Sequence, residues 1–387
     1  IEHGFHITGV VPNNEAIVAV AQKVLGVETM SILVVGLLMN LCIARFTKFK
    51  YVFLTGHHSL FMACLMSAVL GTAGLSGIEL ILVGGFLMGA WSAISPAIGQ
   101  SYTSKVTDGD EIALGHFGSL GYYLSAWVAK YVGKAEESTE DIEIPEKWGF
   151  LRDSTLSTAL TMIVFYLIAA IAAGSEFVAT LSGSMSPYLF AIMSAMNFAV
   201  GVAIVYSGVR MILGDLIPAF QGIATKIIPN AIPAVDCAVF FTYAPTAVVL
   251  GFISSFIGGI IGMLILGAVG GVLIIPGLVP HFFCGATAGI YGNATGGRRG
   301  AAVGAFLNGL AITFLPALAL PVLGQLGFQN TTFGDADFAV MGLVLGNAFE
   351  WIGMAGIYGI VVIAALVLII PNFIKTKGKV INYVEED

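Results

Sequence analysis

The chain has 387 residues, 57% of them hydrophobic and 10% charged, with 49 glycines, a mean hydropathy of +0.94 and a net charge of −7. That composition excludes an ordinary soluble globular domain, and the acidic balance offers no basic surface for nucleic acid. The four cysteines, Cys42, Cys64, Cys237 and Cys284, stand apart in apolar sequence without CxxC or metal spacing, so they read as small buried side chains.

In chain order, the sequence opens IEHGFHITGV without a methionine, and its first 28 residues lack the apolar core of a signal peptide, so an N-terminal piece is expected to be missing. Apolar spans follow at 29–46, 51–74, 78–99, 153–174, 187–210, 236–268, 272–294, 298–324 and 353–371. Runs of roughly 18 to 25 apolar residues suffice to cross ~30 Å of hydrocarbon. Segments 107–133 and 333–352 differ, being broken by glycines and carrying polar groups, as in DGDEIALGHFGSLGYY and FGDADFAVMGLVLGNAFEW. They read as re-entrant hairpins, tolerable at membrane depth only when buried in protein. With residue 1 outside, nine crossings leave the C-terminus in the cytoplasm and put 15 of the 16 Lys and Arg residues inside, Lys23 being the exception.

The chain also matches itself. VGGFLMGAWSAISPA (83–97) and VGAFLNGLAITFLPA (303–317) agree at 7 of 15 positions, at an offset of 220. LTGHHSLF (54–61) lies against LVPHFFCG (278–285), pairing His57 with His281, and PNNEAIV (12–18) against PAVDCAV (233–239), pairing Glu15 with Asp236. Gly109-Asp110 and Leu120-Gly121 correspond to Gly334-Asp335 and Leu345-Gly346 at an offset of 225. By the span count the two halves run in opposite senses. Inverted repeats with interrupted helices at the midplane are the architecture of alternating-access transporters.

Ionisable groups inside membrane segments are functional candidates, because leaving them unpaired in hydrocarbon is costly. Glu15 and Asp236 each start an apolar helix three residues after a proline, where they can accept hydrogen bonds from a polar solute; Asp236 can equally cap its helix. His57 and His58 follow Thr55-Gly56, a place for the backbone to break and approach a ligand. A neutral imidazole supplies one donor and one acceptor, which suits a hydroxylated or enolic solute. His58 is expected to point elsewhere than His57 on a helix. His116 stands between two glycines in GHFG, and His281 follows Pro280. Glu350 and Trp351 lie near the second hairpin, where a structural pairing explains them as well as a solute contact.

The stretches FLTGHHSLF, VTDGDEIALGHF, GKAEESTEDIEIP, GVRMILGDLIPAFQGI, AIPAVDCAVFFTYAPTAVVLGF and LIIPGLVPHFF resemble the ascorbate-specific IIC components of the bacterial phosphoenolpyruvate-dependent phosphotransferase system, and the resemblance covers essentially the whole chain. Family members carry about two further spans in front. The resemblance implies a homodimer in the bacterial inner membrane, each protomer a scaffold plus a core that moves like an elevator. It implies that L-ascorbate is held by residues matching His57, His116 and Asp236. The positions after the histidines, here His58, Ser59, Leu60, Phe61 and Phe117, and the pair Asn14-Glu15 join them. HSLF after His57, Phe117 in place of a glutamine and Asn14-Glu15 in place of Thr-Tyr depart from the family pattern, so a related sugar or sugar acid stays open. The resemblance implies no catalytic residue, metal or cofactor in this chain: a separate IIB protein, fed by IIA, carries the phosphoryl group on a cysteine.

The expected architecture is therefore an all-α polytopic membrane protein of two inverted-topology repeats with re-entrant hairpins, scaffold plus mobile core, set among membrane lipid. Its divisions are core repeat 1 (1–133), a cytoplasmic loop (134–152), scaffold spans with an amphipathic segment (153–232), core repeat 2 (233–352), and a last span with a cytoplasmic tail (353–387). The rival reading is an ion- or proton-coupled secondary transporter in which Glu15, Asp236 and the histidines form a proton relay. A membrane subunit without transport is disfavoured by the paired carboxylates. If 107–133 is re-entrant, cysteines replacing Lys105 and Lys134 should both be labelled from the cytoplasmic side alone by an impermeant thiol reagent; labelling from opposite faces would break the topology.

Overall fold

The computed structural model describes residues 9–109, 111–143, 147, 153–324 and 331–373. Among these, seven helices are long and apolar enough to cross a membrane, and the fold is that of an all-α polytopic membrane protein with one small internal sheet. In chain order the elements are α1 (Asn14–Phe46), β1 (Tyr51–Phe53), α2 (Gly56–Thr72), α3 (Gly77–Thr107), β2 (Ala113–Leu114), α4 (Ser119–Val132), α5 (Ser154–Ala173), α6 (Ser175–Ser182), α7 (Pro187–Lys226), β3 (Ile232–Val235), α8 (Cys237–Phe240), α9 (Pro245–Ala268), α10 (Leu278–Gly324), α11 (Ala336–Ile352) and α12 (Met354–Ile369).

Two expected spans are interrupted. Segment 51–74 opens as strand β1 and becomes a helix only at Gly56, leaving the 17 residues of α2. Segment 236–268 opens with the four-residue α8, breaks, and restarts at Pro245 as α9. The cause of the second break is local: a residue before proline is pushed out of the helical region, and Ala244 sits at φ −148°, ψ 74°. The 47 residues of α10 would reach ~70 Å if straight. Gly296 and Gly297 have non-helical dihedrals and fold it into two arms, which separates the expected spans 272–294 and 298–324. The arms run back to back, since a Cβ on Gly292 would lie 2.4 Å from the Gly300 carbonyl oxygen.

Glycines let helices approach until backbones touch. A Cβ at Gly89 of α3 would lie 2.7 Å from the Gly36 carbonyl oxygen of α1. A Cβ at Gly258 of α9 would lie 2.3 Å from the Phe306 carbonyl oxygen on the second arm of α10, and one at Gly309 would lie 2.0 Å from that of Ser255. Gly36 and Gly258 are 222 residues apart and Gly89 and Gly309 are 220 apart, close to the spacing at which the sequence matches itself.

The extended segments repeat a pattern too. β3 lies between β1 and β2, all parallel, with Tyr51 opposite Ile232 and Leu114 opposite Val235. Elsewhere Val10 forms a parallel bridge with Ile274, through Val10 N–H to Leu273 O at 2.8 Å and Ile275 N–H to Val10 O at 2.9 Å, while Asn13 N–H donates to Thr332 O at 2.8 Å. Segment 10–13 thus lies between the chain near 274 and Thr332 much as β3 lies between β1 and β2. The helices that follow the outer segments β2 and Thr332 do not keep the sequence offset of 225: α4 starts at Ser119 and α11 at Ala336, a difference of 217. Asp110 lies outside the described residues.

The acidic loop after α4 is stitched to the helices beside it. Glu140 accepts hydrogen bonds from Thr246 N–H (3.0 Å), Thr246 Oγ1 (2.9 Å) and Ala247 N–H (3.1 Å). A carboxylate at the start of α9 meets both its free N–H groups and its dipole. Asn293 Oδ1 accepts from Thr139 N–H at 2.8 Å, and Arg298 N–H reaches Glu137 O at 2.8 Å, so the loop closes on the bend of α10.

That bend sets a prediction. Gly297 has φ +58°, and a Cβ there would lie 2.3 Å from Lys134 O and 2.4 Å from Glu137 O. Gly297→Ala should destabilise the detergent-solubilised protein by ~1–3 kcal/mol, read as a lowered unfolding temperature. Gly26→Ala, on α1 with open space around it, should be neutral or better.

Candidate functional site

The interrupted helices converge. α2 starts after Thr55, α4 after Gly118, α8 after Asp236 and α11 after Asp335, and none of these four capping residues makes a side-chain capping hydrogen bond. The alternative role for Asp236, as the cap of its own helix, is therefore not the one it plays. Its carboxylate faces two imidazoles instead: His57 Nε2 is 3.5 Å from Oδ2, and His116 Nε2 is 4.0 Å from Oδ1. The His57 side chain is 55% exposed and that of Asp236 32%, whereas that of His116 is 4% exposed, so the cluster opens outward at His57.

His58 points inward, away from the exposed edge where His57 stands, yet stays within the cluster. It is buried, and its ring centroid is 3.8 Å from that of His116. The backbone settles the tautomers of both rings. His58 Nδ1 accepts from Phe117 N–H at 3.3 Å. His116 Nδ1 accepts from Gly118 N–H at 3.1 Å and lies 2.9 Å from the Tyr122 hydroxyl. A ring nitrogen that accepts from a backbone N–H holds no proton, so in each neutral ring the hydrogen is on Nε2. The cluster therefore offers two Nε2–H donors, that of His116 beside the Asp236 carboxylate.

Two groups have spacing that a metal ion could use: His58, His116 and Asp335, and His116, Asp236 and Cys237, with ligand atoms within 4.8 Å of one another. Metal-bound imidazoles donate their second nitrogen's hydrogen to an acceptor. Here Nδ1 accepts in both His58 and His116, the opposite arrangement. The donor set suits oxygen atoms of a ligand better than a cation.

The remaining expected residues fall as follows. Phe61 packs edge-on to His57 with centroids 5.9 Å apart, and Phe117 stacks on Phe53 at 4.5 Å, giving the cluster an apolar wall that includes Phe338. Leu60 packs into the same apolar cluster, and Ser59 Oγ donates to Thr55 O within its own helix at 3.2 Å. Asn14 reaches the site through Asp335: its Nδ2 donates to Asp335 Oδ2 at 2.9 Å and its Oδ1 accepts from Gly334 N–H at 3.0 Å. The side chain of Glu15 lies outside the described residues. His281 lies between α9 and α10, with Nδ1 3.0 Å from Ser255 Oγ, and serves helix packing. Glu350 and Trp351 are exposed at the far end of α11.

Sequence reasoning met Asp335 only as the repeat partner of Asp110, not as a site residue, and passed over Asp337. Asp335 is 6% exposed, accepts from Asn14 and from the Cys284 thiol (3.0 Å), and faces His58 and His116. The signal was present in FGDADFAV, two carboxylates in an apolar run, read as part of a hairpin and of the repeat. Cys64, Cys237 and Cys284 are buried and Cys42 is exposed.

With this geometry in view, the family described as "PTS system sugar-specific permease component" (EIIC-GAT) matches residues 1–337. The chain belongs to that family. It is also similar to an ascorbate-specific PTS system EIIC component of Mycoplasma pneumoniae, with 25% identity over 307 residues that cover 68% of this chain and 46% of the relative. The chain thus spans less than half the length of that relative.

Burial alone orders the histidines chemically. Brief treatment of the purified protein with diethyl pyrocarbonate should modify His57 well before His58, His116 or His281, as read by peptide mass spectrometry. Equal rates at His57 and His116 would contradict a site that opens at His57.

Proposed function

We propose that this chain is the membrane permease of a phosphotransferase complex and takes up L-ascorbate, or a closely related sugar acid, coupled to its phosphorylation by a separate IIB protein. The observation that carries this reading is the pair of imidazoles, His57 at 3.5 Å and His116 at 4.0 Å, set against the partly exposed carboxylate of Asp236, with the buried His58 ring packed on His116. An ene-diol lactone anion has the complementary pattern: ring oxygens that accept from N–H groups, and hydroxyls that donate to a carboxylate. Uncapped helix starts add partial positive charge where an anion would sit. His57, at the exposed edge, is the group best placed to meet the solute first. The name of the Mycoplasma relative points to the same solute.

In this reading the two halves are inverted repeats whose mobile core carries the solute past a scaffold. The extended-segment pattern that occurs twice and the two glycine contacts at matching spacing support it. The permease works as a homodimer in the bacterial inner membrane with its C-terminus in the cytoplasm, where IIB, phosphorylated by IIA, meets the solute. No residue of this chain carries the phosphoryl group. The rival, a proton-coupled transporter, would release unmodified solute.

The test is accumulation of radiolabelled ascorbate in cells that supply the cognate IIB and IIA. Uptake should require phosphoenolpyruvate and yield phosphorylated product; accumulation of free ascorbate without it would favour the rival. His57→Ala, His116→Ala and Asp236→Ala should each weaken ascorbate binding by ~1–3 kcal/mol, about five- to 150-fold. Unchanged affinity in all three variants would remove the site.

A further inference from the structure

The site depends on a carboxylate that the proposed function leaves unused. Asp337, in the first turn of α11, is fully buried at 0% exposure. Its Oδ2 accepts from Ser119 Oγ at 2.7 Å and from the Trp91 indole of α3 at 3.1 Å, and its Oδ1 accepts from Leu120 N–H at 3.0 Å. Its own N–H donates to Phe117 O at 3.0 Å. Three of these four bonds therefore land on residues 117, 119 and 120, directly after His116.

The same short stretch sets the ring of His116. Gly118 N–H donates to His116 Nδ1 at 3.1 Å, and Tyr122, one turn into α4, places its hydroxyl 2.9 Å from that atom. A Cβ on Gly118 would lie 2.3 Å from the Tyr122 hydroxyl oxygen, so this corner needs glycine at the capping position. Glycine has no side chain to satisfy the first N–H groups of α4, and Gly118 makes no capping bond. Asp337 supplies that acceptor from another helix, its Oδ1 taking the Leu120 N–H at the start of α4.

We propose that Asp337 is a positioning residue for the solute site: by gripping residues 117, 119 and 120 it fixes the corner that aims His116 Nε2–H at Asp236 and the solute. It acts through His116, because its own burial keeps it from the site's open edge. A carboxylate is needed, since an apolar side chain would leave Leu120 N–H and Ser119 Oγ without their partners in a buried setting. The inference rests on the transport reading for its functional consequence, and on geometry alone for its effect on His116.

The experiment uses the full chain, purified in detergent with ¹⁵N-labelled histidine. It reads three quantities for the wild type and for Asp337→Asn: the ring-nitrogen signal of His116, the dissociation constant for L-ascorbate, and the unfolding temperature. In the wild type, His116 should show the neutral form with its hydrogen on Nε2. In Asp337→Asn that signal should shift or split, while His281, held by Ser255, should not move. Ascorbate affinity should fall by about tenfold, the effect of one compromised hydrogen bond to a charged group. In a His116→Ala background the same change should cost less than about twofold, because groups that act as a unit are not additive. Ser119→Ala, which removes one donor only, should give a smaller shift of the His116 signal and covers the case in which Asp337→Asn does not fold. An unmoved His116 signal, or equal movement of His116 and His281, would overturn the proposal. So would a full tenfold loss that persists without His116. Should the wild type fail to bind ascorbate, the assignment of that solute falls, and the His116 signal still decides the role of Asp337.

Discussion

Inside a bilayer every backbone N–H and C=O must find a partner within the protein, because hydrocarbon offers none. This constraint governs the centre of the molecule. A site for a polar solute needs helices that stop and start at membrane depth, and each stop exposes unpaired backbone. The strands β1, β3 and β2 answer that need: Ile232 N–H reaches Lys50 O at 2.9 Å, Leu54 N–H reaches Ala234 O at 2.9 Å, and Gly115 N–H reaches Val235 O at 2.7 Å. Each strand leads within a few residues to a helix start, and the side chains at those starts are His57, His116 and Asp236. The sheet is small, yet it allows three polar residues far apart in sequence to share one place.

Three carboxylates in this region behave differently, and the surroundings explain why. Asp337 has three donors and no exposure, so its capacity is spent on fixing the fold. Asp335 is nearly buried and engaged by Asn14 and Cys284. Asp236 makes no capping bond and its side chain is 32% exposed, so it keeps accepting capacity for a ligand. The histidines divide in the same way. His58 and His116 have one nitrogen committed to backbone and one free to donate, whereas His57 stands at the exposed edge beside Asp236.

Much of the fold was legible in the sequence because membrane burial demands long apolar runs: those at 153–174 and 353–371 became helices near their expected limits, and those at 78–99 and 187–210 start where expected but run on to Thr107 and Lys226. Breaks were harder to read. YVF at 51–53 is apolar whether it continues a helix or forms a strand, and only pairing with β3, some 180 residues away, decides it. The site was partly legible: a histidine or aspartate in an apolar run stands out by its cost. The role of His58 was not, because it depends on a hydrogen bond from Phe117, 59 residues away in sequence. Asp335 and Asp337 carried the same signal as Asp236 and were overlooked as site residues beside the glycines that marked their segment as a hairpin.

On the two-repeat reading, the backbone is nearly symmetric while the chemistry is not. β3, leading to Asp236, lies between two segments of the first half, and segment 10–13, leading to Asn14, lies between two segments of the second. One junction sets Asp236 near His116, and the other sets Asn14 against Asp335. Acid and base thus change places with amide and acid. Two like backbones give a core that can present its site to either side of the membrane with similar packing. On the proposed function, the unlike side chains, imidazoles set directly against carboxylates, give that site one orientation for its solute. On that same function, symmetry of the main chain serves movement, and its violation by four side chains serves recognition.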